Sequence, residues 1–146
     1  MVRKLEDMEN ICAIEISFEP HMDEENILRS VSHCLGEIPV IVQIELGRVT
    51  SLGSRVIREG ASAVSFAPPR GIILLEIESK GSETKSLVSG RLYGPCLFPQ
   101  SLLVLQEAVW QDLPIIAGVG VNSAEQAELM LSIGALAVQF DTFLWK

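Results

Sequence analysis

Apolar residues recur along this chain in two alternating rhythms, one of period two and one of helical period. Ile11–Ser17 (ICAIEIS) alternates and is rich in isoleucine, which predicts a strand after a polar start over residues 1–9. From Glu24 to Leu35 the residues Ile27, Leu28, Val31 and Leu35 share one helical face, with Asp23 placed to cap and Gly36 to end it. Pro39 introduces Val40–Leu46 (VIVQIEL), a near-continuous apolar run of the kind buried in parallel sheets. A helix from Thr50 or Ser51 to Glu59, stopped by Gly60, leads to a strand at Ala63–Phe66.

Ala67-Pro68-Pro69-Arg70-Gly71 interrupts the rhythm. Ile72–Ile77 is strongly apolar and, with the polar turn Glu78–Lys85, predicts a hairpin excursion followed by an irregular loop over Ser89–Pro95. Pro99 fits the first turn of a helix carrying Leu102, Leu103, Leu105, Val109 and Trp110. Leu113–Ala117 is the next strand, and Gly118-Val119-Gly120 turns the chain. Asn122 or Ser123 then caps a helix with Glu125 in its first turn; the helix ends at Gly134, and Ala135–Phe140 forms a further buried strand.

Strands and helices thus alternate, which predicts an α/β protein with a parallel sheet and right-handed crossovers. The expectation is a single domain over residues 1–146, a partial (β/α)8 TIM-barrel type with about five parallel strands and a hairpin excursion. An eight-stranded barrel usually takes ~250 residues, so this length corresponds to about half of one.

Composition narrows the function classes. Hydrophobic residues make up 48%, as in a folded globular protein, and no apolar run approaches the ~20 residues of a membrane helix. A formal net charge of -8 argues against nucleic acid as a partner, and no membrane association is expected. Cys12, Cys34 and Cys96 are odd in number and widely spaced, which fits buried or half-buried thiols in a reducing cytoplasm. His21 and His33 are too isolated to suggest a metal site.

The chemistry concentrates near the C-terminal end. A strand, a glycine turn and an open helix N-terminus bring unpaired amides and a positive dipole end together, a natural cradle for phosphate. Two readings stand side by side for Gly118 and Gly120: they bind an anion, or they merely permit the turn. Gly90, Tyr93 and Gly94 form a second wall of that site, or a mobile loop in which Tyr93 covers the core. Gln43 faces either a ligand or neighbouring backbone, Arg91 either an anion or solvent, and Trp110 either the core or an interface. Ile72–Ile77, more apolar than a surface hairpin requires, is a candidate interface strand.

These segments resemble the C-terminal half of the dihydroorotate dehydrogenase family. The family's GGLSGPAxxP loop is matched by Gly90-Arg91-Leu92-Tyr93-Gly94-Pro95-Cys96-Leu97-Phe98-Pro99, and its PIIGxGGIxS turn by Pro114-Ile115-Ile116-Ala117-Gly118-Val119-Gly120-Val121-Asn122-Ser123. The helix AEQAELMLSIGA is close to the family's AEDALEFLLAGA, and Ala135–Thr142 follows the family's AxAVQVGT strand. The resemblance implies a flavin oxidoreductase lineage on a barrel, with FMN as cofactor held by Gln43, Gly90, Tyr93, Gly94, Gly118, Gly120, Asp141 and Thr142. It implies a small-molecule ligand, and either a homo-oligomer or pairing with another half-barrel, since an open half-barrel exposes a strand edge at each side.

Departures from the family pattern point to weakened or lost catalysis. Gln43 stands where the family's PVxVKL strand has a flavin-contacting lysine, and Ala67 where it has an asparagine. The NxSxPN segment is reduced to the proline of Ile16-Ser17-Phe18-Glu19-Pro20-His21. Val119 replaces a phosphate-site glycine, and Asp141-Thr142 replaces the final Gly-Thr. The family's catalytic base has no counterpart, so the alternative reading is a non-catalytic half-barrel that assembles without flavin.

Asp141 matters most in physical terms. It serves as a cap, a salt-bridge partner or an acid, and at the mouth of the cradle its carboxylate repels a phosphate. At ~4 Å and an effective dielectric of ~20 each unit-charge repulsion is roughly 4 kcal/mol before relaxation, which argues against tight FMN binding in the family's usual pose. Asp141→Gly is therefore expected to raise FMN affinity by about tenfold or more in a fluorescence titration. Unchanged affinity would remove the electrostatic argument.

Overall fold

The computed structural model describes residues 8–19, 22–79 and 82–140. Its elements are β1 (Ile14–Ser17), α1 (Glu24–Cys34), β2 (Val40–Glu45), α2 (Val49–Arg58), β3 (Ala63–Ala67), β4 (Arg70–Ser79), β5 (Ser82–Arg91), α3 (Phe98–Trp110), β6 (Ile115–Ala117), α4 (Ala124–Ile133) and β7 (Ala137–Val138). Five parallel strands form one sheet in the order β1-β2-β3-β6-β7, and β4 pairs with β5 in a separate antiparallel hairpin. The fold is α/β and partial TIM-barrel-like, as the alternation of elements predicts.

Strand parity decides which face of the sheet the helices cover. Val40, Val42 and Ile44 of β2 are buried together with Ile27 and Val31 of α1, Leu52 and Val56 of α2, and Leu105 and Ala108 of α3. The opposite, concave face has another character. The register places Glu15 beside Ile41 and Ala63, and Ser17 beside Gln43, Ser65 and Ile116. Ser65 is fully buried and its hydroxyl donates to Glu15 Oε1, while Gln139 Nε2 donates to the same oxygen at 3.2 Å. Glu15 lies on one edge strand, and Gln139 follows the other. Four inter-strand steps of about 4.8 Å would set these edges roughly 19 Å apart in a flat sheet. Their side chains meet because the sheet curls into a trough, the curvature a barrel requires.

Local chemistry explains most boundaries. Asp23 caps α1, accepting from the Asn26 amide at 2.9 Å, and that bond holds its carboxyl below the ordinary range. Gly60 and Gly134 close α2 and α4 with positive φ of 111° and 128°. Ser123 caps α4 by accepting from the Gln126 amide, and Gln126 Oε1 accepts in return from the Asn122 amide.

Several expectations shift. α1 ends at an extended Leu35, one residue before Gly36. α2 begins at Val49, not at Thr50 or Ser51, because a short 3-10 turn over Leu46–Arg48 runs into it and buries Leu46 and Val49; Ser51 donates to the Arg48 carbonyl instead of capping. The hairpin is longer than its polar residues suggest, since β5 runs from Ser82 through Gly90 to Arg91 and shortens the irregular loop expected over Ser89–Pro95 to Leu92, Tyr93 and Gly94. α3 is rotated from the expected face. It buries Ser101, Val104, Leu105 and Ala108, and leaves Leu103 exposed and Trp110 81% exposed, so Trp110 is not core. On that sheet-facing side the Ser101 hydroxyl donates to the Gly118 carbonyl at 2.6 Å. β7 is two residues long, and as an edge strand it is half-covered, not buried. Cys12 and Cys96 are exposed and only Cys34 is half-buried. Among the described residues no helix is long and apolar enough to cross a membrane. The expected polar start lies largely outside the described residues, as does His21.

Candidate functional site

The C-terminal ends of β1, β2, β3 and β6 open on the same rim of the trough, where ligands collect in parallel α/β folds. After β6 the chain turns through Gly118, Val119 and Gly120 into the N-terminus of α4. Val119 has φ 57° and Gly120 φ 84°. A left-handed backbone is cheap for glycine but costs an L-residue about 1–2 kcal/mol, and it is rarer still for a β-branched one. Two anchors hold the turn in place. Ser101 binds the Gly118 carbonyl, and the Gly94–Phe98 loop sits directly on Gly120. A Cβ built on Gly120 would lie 2.5 Å from the Phe98 nitrogen and 3.1 Å from the Gly94 oxygen. The two glycine-bearing segments singled out in the sequence are therefore packed against each other.

The turn faces its ligand side with donors. The amides of Val119, Gly120 and Val121 make no hydrogen bond to another described residue, although Val119, Gly120 and Val121 are all buried. Buried amides without a partner are rare, because each costs about as much as a lost hydrogen bond. Donors of this kind beside a helix N-terminus, with the α4 dipole behind them, are able to receive an anion.

The other wall comes from β2 and the foot of the hairpin. Arg91 Nη1 donates to Gln43 Oε1 at 2.9 Å, and both line a cavity of about 100 Å³. Phe66, Pro68, Tyr93, Val119 and Gln139 complete its lining. Gln43 thus binds the Arg91 guanidinium, not the neighbouring backbone, and Arg91 is half-buried, not solvated.

Of the residues expected at the site, Gln43, Tyr93, Gly94, Gly118 and Gly120 come together around the turn and this cavity. Gly90 does not: it sits within β5 opposite Gly71, with open space where a Cβ would be. Asp141 and Thr142 lie outside the described residues. Gln139, Phe66 and Pro68 were not expected. Gln139 carried a readable signal, since strand alternation puts it two residues after Ala137 on the concave face. Phe66 lies within β3 and Pro68 directly after it, and both line the cavity although alternation sets Phe66 on the face opposite to Ser65. No group of three or more histidine, cysteine or carboxylate residues suited to a metal ion occurs among the described residues.

No family model matches the chain. It is similar to the catalytic subunit of dihydroorotate dehydrogenase B (NAD(+)) of Thermodesulfovibrio yellowstonii, with 29% identity over 133 residues that cover 88% of this chain and 42% of the relative. It is also similar to the same subunit of Porphyromonas gingivalis, at 29% identity over 153 residues covering 94% of this chain and 49% of the relative. The chain resembles dihydroorotate dehydrogenases along most of its length, and it spans about half the length of the curated relatives it matches.

The contacts around the turn separate two glycines that look alike in sequence. Gly120→Ala is expected to destabilise the chain by more than about 1 kcal/mol, from its left-handed φ alone, in urea unfolding. Gly90→Ala, with free space around it, should fall within about 0.5 kcal/mol of the parent. Equal effects of the two would contradict the packing described for the loop and turn.

Proposed function

We propose that this chain is a phosphate-anchoring half of a flavin oxidoreductase-type barrel, with catalysis of its own weakened or lost. The observation that carries the reading is the trio of buried amides at Val119, Gly120 and Val121 that bond no other described residue, next to the helix dipole and beside the loop that the resemblance assigns to the same site.

The residues present fit one end of FMN better than the other. A phosphate suits the turn, which offers backbone donors without needing a cationic side chain. The isoalloxazine ring is another matter. The cavity beside the turn, at about 100 Å³, falls well below the roughly 300–1,000 Å³ of ordinary small-molecule pockets. Val119 narrows it, filling space where the family has glycine. A bound flavin supplies hydride-transfer chemistry, but no step of that chemistry is assigned to the described residues. Gln43, in place of the family's lysine, is already committed to Arg91. It adds no positive charge that would stabilise a reduced, anionic ring.

A second reading, assembly with another half-barrel or a second copy, is favoured by one observation. The hairpin exposes Ile72, Ile73, Leu74, Leu75, Leu87 and Val88, apolar on both of its faces. In such an assembly the partner would close the trough and enlarge the space for a ring. The two readings are compatible, and they share a cytoplasmic setting.

Titration of the chain with FMN and with riboflavin, followed by flavin fluorescence, tests the proposal. FMN is expected to bind at least tenfold more tightly, because only it carries the phosphate. Equal affinities, or no binding of either, would overturn the phosphate-anchoring role. Gel filtration of the same samples reads the oligomeric mass alongside retained flavin.

A further inference from the structure

A second cavity lies across the Gln43–Arg91 bridge from the first, between the ends of β1, β2 and β3 and the foot of the hairpin. It measures about 50 Å³, and three arginines line it: Arg48, Arg70 and Arg91. They arrive from three separate segments, Arg48 from the turn after β2, Arg70 from the first residue of β4, and Arg91 from the last residue of β5.

The hairpin register makes this convergence unusual. Arg70 pairs directly with Arg91, so two like charges face each other at the open end of an antiparallel ladder. Side chains at such positions start about 4.5–5.5 Å apart, and like charges there are repulsive. The repulsion is not neutralised from within. Arg48 is paired with Glu24 at 3.9 Å, and Arg91 donates to the neutral amide of Gln43. Among the described residues no carboxylate lies within 4.0 Å of Arg70 or Arg91, although Glu19 and Glu45 line the same cavity. Arg70 and Arg91 thus share one cavity with no ion pair to a described carboxylate, and Arg91 is oriented by a hydrogen bond that leaves its remaining donors available.

We infer that Arg70 and Arg91, with Arg48 behind them, form a binding site for a tetrahedral oxyanion, an inorganic phosphate or the phosphate of a phosphomonoester. A guanidinium presents its N–H groups as a planar fork, and two forks set against one another match the oxygens of such an anion. A cavity of this size has room for several waters, or for one oxyanion in their place. Arg70 is exposed and Arg48 and Arg91 are half-buried, so the site is open to exchange and its affinity falls with salt. The site is distinct from the amides of the glycine turn and stands or falls without them, since Arg70 does not line the cavity beside that turn.

The test is titration of the full chain with inorganic phosphate, and separately with methyl phosphate, while the arginine Nε–H signals are followed by NMR. Saturable movement of the Arg70 and Arg91 signals is expected. Arg70→Gln should weaken the phosphate affinity at least tenfold and leave the FMN-induced shifts of the Val119, Gly120 and Val121 amides unchanged. Arg91→Lys, which keeps the charge but loses the fork, should also weaken it. Tighter binding of methyl phosphate would identify a phosphomonoester as the ligand class, and equal or weaker binding would identify free phosphate. Arginine signals that stay still at millimolar phosphate, or an Arg70→Gln variant that binds as tightly as the parent, would overturn the inference. Loss of FMN binding with arginine responses intact would instead count against the glycine-turn site alone.

Discussion

Glu15 accepts hydrogen bonds from Ser65 in the middle of the sheet and from Gln139 beyond its far edge, and the curvature that lets these groups meet organises the rest of the molecule. In a flat sheet the two edges would be too distant for contact. In the trough the concave face becomes a partly enclosed polar surface, while the convex face keeps Val40, Val42 and Ile44 against the helices. Complete barrels fill their interior with layers of branched apolar side chains. Here the equivalent face mixes Glu15, Ser17, Gln43, Ser65 and Gln139 with Ile41, Ala63 and Ile116, so directed bonds as well as burial hold it. Curvature also aims the strand ends at one another, which is why residues from β2, β3, the hairpin foot and the β6–α4 turn share a rim.

The turn after β6 shows how local strain is tolerated when the surroundings determine it. Val119 keeps a left-handed backbone that costs about 1–2 kcal/mol, while burying its side chain returns something of similar size, about 1.5–3 kcal/mol. The exchange leaves the turn geometry, and hence the amides, where glycine would put them. It also fills part of the adjoining cavity with a branched side chain. The amides of the turn keep their places while the space beside them shrinks.

Much of this was legible in the sequence, and what was missed has physical causes. The alternation of elements, the caps at Asp23 and Ser123, and the stops at Gly60 and Gly134 follow from local rules of spacing and backbone freedom, whereas the nearness of the Gly94 loop to the Gly118–Gly120 turn was one of two open readings and rested on the family resemblance. The errors lie where tertiary contact decides. Trp110 and Leu103 have helical spacing appropriate to a core, yet α3 turns Ser101, Val104, Leu105 and Ala108 inward, where Ser101 donates to the Gly118 carbonyl. Gly90 sits in a family-like loop motif, yet cross-strand pairing draws it into β5. The Arg70–Arg91 pair is invisible without the hairpin register, since these residues stand far apart in the chain and become neighbours only through the ladder.

In the proposed role the buried amides at Val119, Gly120 and Val121 are anion donors and not merely the inside of a turn. The most direct measurement is the ¹H–¹⁵N amide spectrum of the labelled chain during addition of FMN. The account predicts that these three amides show the largest, saturable shifts, downfield as a phosphate oxygen accepts their hydrogen bonds. Amides at 119–121 that stay still while the flavin binds elsewhere would contradict it.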